Sequence, residues 1–87
     1  MPVVFIPPSL QDLSEGVAQI EVGGENVRQL INSLEDRFPG FRARLCSDGE
    51  LAPSLQVSVD GVMTSRGLLA RVQPESEVHF LPALGGG

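Results

Sequence analysis

Apolar and polar positions change rhythm along this chain, and each change marks a different element. Pro2 to Ile6 is β-branched and aromatic and ends at Pro7-Pro8-Ser9, which predicts a strand. Leu10 to Glu15 reads as a polar connection. Within Gly16 to Val22, Ala18, Ile20 and Val22 then share one side, with Gln19 and Glu21 on the other. That period of two predicts a half-buried strand. Gly23-Gly24 ends it, so the first two strands pair as a hairpin with a long loop.

After Gly23-Gly24 the period lengthens. Val27, Leu30, Ile31, Leu34 and Phe38 fall at i, i+3, i+4, i+7 and i+11, one apolar stripe of an amphipathic helix. Arg28, Gln29, Asn32, Ser33, Glu35 and Asp36 face water. Asn26 is the predicted N-cap, with Gln29 three residues on as a variant of the capping box. Pro39-Gly40 stops the helix. Phe41 to Leu45 allows a second helical turn, and Ser47 to Ser54 reads as loop.

Alternation returns in Leu55-Gln56-Val57-Ser58-Val59. Asp60-Gly61 is a hairpin signal, because both residues tolerate positive φ, and Val62 to Thr64 is the short return strand. Gly67-Leu68-Leu69 and Val72 form an irregular passage with two anchors. Pro74-Glu75-Ser76 turns into the last strand, Glu77 to Leu81, with Val78 and Phe80 on one side and His79 and Leu81 on the other. The predicted order is β-β-α-β-β-β: an α+β domain, one main helix packed on one face of a mixed sheet. In that arrangement Leu30, Ile31 and Leu34 bury against Val57, Val59, Val78 or Phe80.

Composition narrows the function. Eighty-seven residues make one domain with a modest core. All six positive charges are Arg, against 11 acids, for a net charge of −5. That balance argues against a nucleic-acid partner, which needs clustered Lys and Arg. A single cysteine, Cys46, cannot close an intrachain disulfide, which fits a reducing cytoplasm. No apolar run approaches membrane-spanning length, and Val3-Val4-Phe5-Ile6 is too short for a secretory segment.

The chain finishes Pro82-Ala83-Leu84-Gly85-Gly86-Gly87. Three glycines add nothing to a core, but six extended residues reach up to ~20 Å. Bare backbone enters a slot that side chains would block. A terminal carboxylate, with a reference pKa of about 3.3–3.7, is charged at neutral pH. It can attack an activated phosphate, so the tail suits acyl activation at Gly87 inside another protein. A short glycine tail is equally compatible with an unpacked end.

Taken together, Asn26 to Leu34 running into Phe38-Pro39-Gly40, the Val57-Ser58-Val59-Asp60-Gly61 hairpin, and Glu77-Val78-His79-Phe80-Leu81-Pro82-Ala83-Leu84-Gly85-Gly86-Gly87 resemble the ubiquitin-like β-grasp sulfur carriers. This is the family of the molybdopterin synthase small subunit and the thiamine and cysteine-biosynthesis sulfur carriers. Two departures stand out: Pro74-Glu75-Ser76 replaces the usual Asp-Gly-Asp, and Gly85 replaces a Ser, Thr or Ala. The resemblance implies a β-grasp domain over residues 1–82 and a flexible Gly-rich tail over 83–87, mobile in the free protein.

It also implies chemistry. The protein is then no enzyme and binds no cofactor. An adenylating enzyme of the ubiquitin-activating type uses ATP and Mg²⁺ to activate the Gly87 carboxylate. A sulfur donor converts it to a thiocarboxylate, and a sulfur-accepting enzyme takes the sulfur. The acceptor is of the molybdopterin synthase large-subunit, cysteine synthase or thiazole synthase type. Gly86 and Gly85 thread the tail, and His79, Leu81 and Leu84 form a partner-binding patch. Conjugation to other proteins and a non-covalent interaction module are the competing readings. The remaining candidates read as structural. Cys46 is a small hydrophobe rather than a persulfide relay, and Arg42 and Arg44 are solvated surface. Gly23-Gly24 lacks the lysine of a phosphate loop, and no metal-ligand spacing exists.

Overall fold

Asn26 starts the main helix as the sequence predicts. Residues 1–82 are described by the computed structural model, in which α1 spans Val27–Arg37. The Asn26 Oδ1 accepts from the Gln29 N–H at 2.9 Å, which satisfies one donor of the first turn. Gln29 Oε1 accepts from Glu25 N–H at 2.8 Å. The reciprocal bond therefore lands one residue before the cap rather than on it. Val27, Leu30, Ile31 and Leu34 are fully buried. Phe38 departs from the stripe: it is the C-cap, with extended backbone (φ −135°, ψ 91°), and only half-buried.

The chain turns at Gly40, whose φ of 115° suits glycine, and a Cβ there would lie 3.2 Å from Leu13. The Glu35 carboxylate accepts from Gly40 N–H and from Arg42 N–H, the latter at 2.8 Å. These bonds hold its carboxyl below the usual carboxylate range. They also start α2, the short helix Phe41–Leu45, which buries Phe41 and Leu45.

Five strands form the sheet: β1 (Val3–Phe5), β2 (Gln19–Glu21), β5 (Leu55–Val59), β6 (Val62–Met63) and β7 (Glu77–Pro82), in the order β2-β1-β7-β5-β6. β7 lies in the middle, parallel to β1 and antiparallel to β5. Val4, Ile20, Val57, Val78 and Phe80 join the α1 stripe in one core, with Val59 packed against it. Ala18 does not join Ile20 and Val22. It is exposed, outside β2, and its carbonyl accepts from Ile6 N–H at 2.8 Å. The segment expected to be loop contains a small hairpin, β3 (Cys46–Ser47) with β4 (Glu50–Leu51). Its turn residues Asp48 and Gly49 have φ of 54° and 79°. In the passage after β6, Leu68 and Val72 are the anchors, while Leu69 is 66% exposed.

Two sets of bonds tie the loops to this frame. Val27 N–H donates to Ala70 O, and Val72 N–H to Glu25 O, both at 3.0 Å, which stitches the start of α1 to the strand-like 70–72 segment. Asp60, with φ 53°, makes the β5–β6 turn with Gly61. Its carboxylate accepts from Ser76 Oγ at 2.8 Å and from Glu77 N–H at 2.9 Å. The Ser76 hydroxyl in turn accepts from Gln73 N–H at 2.8 Å. Pro74-Glu75-Ser76 is thus a closed turn fastened to the hairpin beside it, and Ser76 is buried.

No helix among the described residues is long and apolar enough to cross a membrane. Two expected outcomes follow from the packing. Leu34 has no exposed surface, so Leu34→Ala costs about 2–5 kcal/mol; an unchanged urea midpoint refutes that packing. The bonds from Glu77 and Ser76 hold the Asp60 carboxyl below its ordinary value. Asp60 therefore stabilises the fold above the unfolded carboxyl pKa of about 3.9 and ceases to as pH falls through the lower folded value. Asp60→Asn melts lower than wild type at neutral pH, and thermal melts against pH show the gap closing on acidification. A pH-independent gap refutes the ionic role.

Candidate functional site

The period of two in β7 decides what the sheet shows on its far side. Val78 and Phe80 enter the core, so His79 and Leu81 point away from α1. The register places Phe5 and Ser58 on either side of His79, Gln19 beyond Phe5, and Met63 beyond Ser58. This row crosses all five strands of the sheet. Leu81 lies one pleat further along β7, opposite Gln56.

At the centre of the row, the Phe5 and His79 rings stack with centroids 4.1 Å apart and planes 6° from parallel. Such a pair contributes about 0.5–1.5 kcal/mol beyond its buried area. His79 and Phe5 are half-buried, while Leu81 and Met63 are 36% and 49% exposed. The face is thus a small apolar centre with Gln19, Gln56, Glu21 and Glu77 around it. An open apolar face with a polar rim is suited to contact with another protein.

Beyond Phe80, only β5 pairs with β7: Gln56 with Leu81 and Leu55 with Pro82. The strand therefore runs past the end of β1, and Pro82 is the last described residue. Leu84, Gly85, Gly86 and Gly87 lie outside the described residues, as does the expected mobility of 83–87.

The structure brings together one pair that sequence spacing does not suggest, Ser58 and His79. No hydrogen bond joins them among the described residues, and no carboxylate orients the imidazole. A nucleophile needs a base in hydrogen-bond reach and a third group to hold it, so the pair is a packing contact. Cys46 is half-buried, and burial pushes its thiol up against the opposing pull of Arg28 and Arg42. A raised thiol is a poorer nucleophile at neutral pH, which weighs against a persulfide relay. Gly24 has a packing reason: a Cβ there would lie 3.0 Å from the Leu30 backbone nitrogen. Arg44 lies 4.0 Å from Asp12, both exposed. Among the described residues no cluster of side chains could hold a metal ion.

The ThiS family profile matches residues 4–87. The chain belongs to the ThiS family. Its fold is that of the ubiquitin-like sulfur carriers. A chain in the crystal structure of the Amycolatopsis orientalis BexX/CysO complex is 31% identical, with a TM-score of 0.91 and 100% of both chains covered. Mycobacterium tuberculosis CysO is 26% identical with a TM-score of 0.87, over 97% of this chain and 100% of that one. The small archaeal modifier protein 1 of Methanosarcina acetivorans, at 22% identity and a TM-score of 0.80, covers 99% of this chain and 95% of its own and shares the fold. No curated protein sequence matches the chain. The ThiS-family assignment gives the open face its context, since a carrier is handled by other proteins.

Leu81→Asp puts a charge on the exposed centre of that face without entering the core. It is expected to keep the melting temperature within a few degrees of wild type and to weaken binding to a partner protein of the sulfur-transfer type at least tenfold, about 1.4 kcal/mol, by calorimetric titration. Wild-type affinity would move the contact to another surface.

Proposed function

We propose that this protein is a sulfur carrier whose Gly87 carboxylate is adenylated and then converted to a thiocarboxylate. The observation that supports the reading most is the course of β7. It runs from the centre of the sheet, past the end of β1, to Pro82, and Ala83-Leu84-Gly85-Gly86-Gly87 follow it in the sequence. The ThiS profile extends through those residues.

The chemistry divides between the carrier and its partners. A Gly87 oxygen attacks the α-phosphorus of ATP, with Mg²⁺, in an enzyme of the ubiquitin-activating type, and pyrophosphate leaves. A sulfide donor then attacks the acyl carbon, AMP leaves, and a thiocarboxylate remains. A sulfur-accepting enzyme of the molybdopterin- or cysteine-forming type takes the sulfur, and water attacks the acyl carbon, breaks the carbon–sulfur bond and returns the carboxylate. The carrier contributes no acid or base. Gly86 and Gly85 let the backbone thread into a closed site that excludes water, the Leu81 face docks the partner, and Leu84 contributes to the same contact. The 31% identical relative was crystallised in a complex with BexX; we assign this chain a protein partner likewise.

Deleting Gly86 and Gly87 leaves a terminal carboxylate but shortens the reach by about 7 Å. Attack needs the reacting atoms within about 3–3.5 Å, so ATP–pyrophosphate exchange with the adenylating enzyme is expected to vanish while the melting curve stays in place. Gly87→Val restores the length and is expected to fail as well, because the β-branched side chain blocks the slot. Mass spectrometry of the protein from its host tests the product. A gain of roughly 16 Da, sulfur for oxygen, marks the thiocarboxylate, whereas larger covalent species mark conjugation. Full exchange activity in the truncated protein rules the carrier reading out.

A further inference from the structure

On the helix side of the sheet, away from His79 and Leu81, α1 and the β3–β4 hairpin border a half-open cavity of about 270 Å³. It is lined by Arg28, Ile31 and Asn32 of α1, Arg42 of α2, Cys46, the turn residues Asp48 and Gly49, and Leu68. Ile31 and Leu68 are buried and form an apolar floor.

The charges around this floor run against the rest of the molecule. The chain has 11 acids and six arginines, yet two of those arginines meet here with one carboxylate, Asp48, among the lining side chains. Arg42 is already aimed: its guanidinium donates to Asn32 Oδ1 at 2.9 Å. Arg28 makes no hydrogen bond or ion pair among the described residues, so its donors remain available. Both guanidiniums favour the ionised Cys46 thiol, against the burial that raises its pKa. Two cations lining one cavity repel, and an anion between them relieves that repulsion. A guanidinium offers a planar fork that fits the oxygens of a carboxylate or phosphate.

We propose that this cavity binds a small organic anion, its carboxylate or phosphate held between Arg28 and Arg42 and a short apolar body lying on Ile31 and Leu68. The volume falls just below the roughly 300–1,000 Å³ of drug-sized ligand sites, which limits the ligand to a small metabolite. The inference is independent of the carrier reading, and its test needs no adenylating enzyme.

Cys46 is the only thiol in the chain and lines the cavity, so its alkylation reports occupancy. Iodoacetate and iodoacetamide release the same iodide and differ in one carboxylate. Rates are measured at alkaline pH, with 2-mercaptoethanol as the reference thiol. The iodoacetate-to-iodoacetamide ratio at Cys46 is expected on the order of tenfold above the reference ratio, because the arginines concentrate the anion. In the Arg28→Gln/Arg42→Gln variant the ratio falls to the reference value. Both side chains are exposed, and unchanged circular dichroism checks that the variant is folded. Benzoate is expected to protect wild-type Cys46 from neutral iodoacetamide saturably, whereas sodium chloride at equal ionic strength does not. A wild-type ratio equal to the reference overturns the proposal, as does protection by chloride equal to that by benzoate. Equal protection by inorganic phosphate and benzoate overturns the assignment of an organic ligand.

Discussion

Everything in this fold hangs on the placement of β7 between β1 and β5. One strand supplies both Val78 and Phe80 to the core and His79 and Leu81 to the opposite face. Side chains alternate with a period of two, so a slip of one residue would exchange the two sets. The slip is opposed from both sides. Val57 and Val4 meet Phe80 and Val78 under α1, while Asp60 grips the first residue of the strand through Glu77 N–H and Ser76 Oγ. The same constraint that packs the core thus sets which residues the open face of the sheet shows.

A carrier of this kind has little need for an internal active site. On the proposed reading the chemistry takes place in partner enzymes, and the domain has only to be rigid, present a face and offer an end. His79 has a stacking partner in Phe5 rather than a catalytic one, and Cys46 lies in surroundings that disfavour its thiolate. The cavity between α1 and the β3–β4 turn is on the other side of the sheet, so a ligand there and a protein on the Leu81 face would not compete for the same surface.

The main elements were legible because their signals are local. The α1 stripe, its Asn26 cap and the Asp60-Gly61 turn each depend on residues within a few positions of one another. The misses have separate physical causes. Phe38 follows the helical period, but Pro39 disfavours helix at the residue before it, and the chain bends there. Ala18 has the strand period but no strand opposite it beyond Phe5. The β3–β4 hairpin is too short for periodicity to register, although Asp48-Gly49 is the same turn signal as Asp60-Gly61.

By itself, then, the sequence determined the order of the main elements, the faces of α1 and β7, the lack of any basic side chain but arginine and one histidine, and a glycine ending that matches a carrier family. Those properties reside in spacing and composition. Only the tertiary structure decided that β1 pairs parallel to β7, that Phe5 stacks on His79, and that Ser76 is bound to Asp60, 16 residues away. Only the fold, too, brings Arg28 and Arg42 to one cavity. These contacts join residues remote in the chain, and their partners are chosen by the burial of the whole core, a quantity that no local window contains.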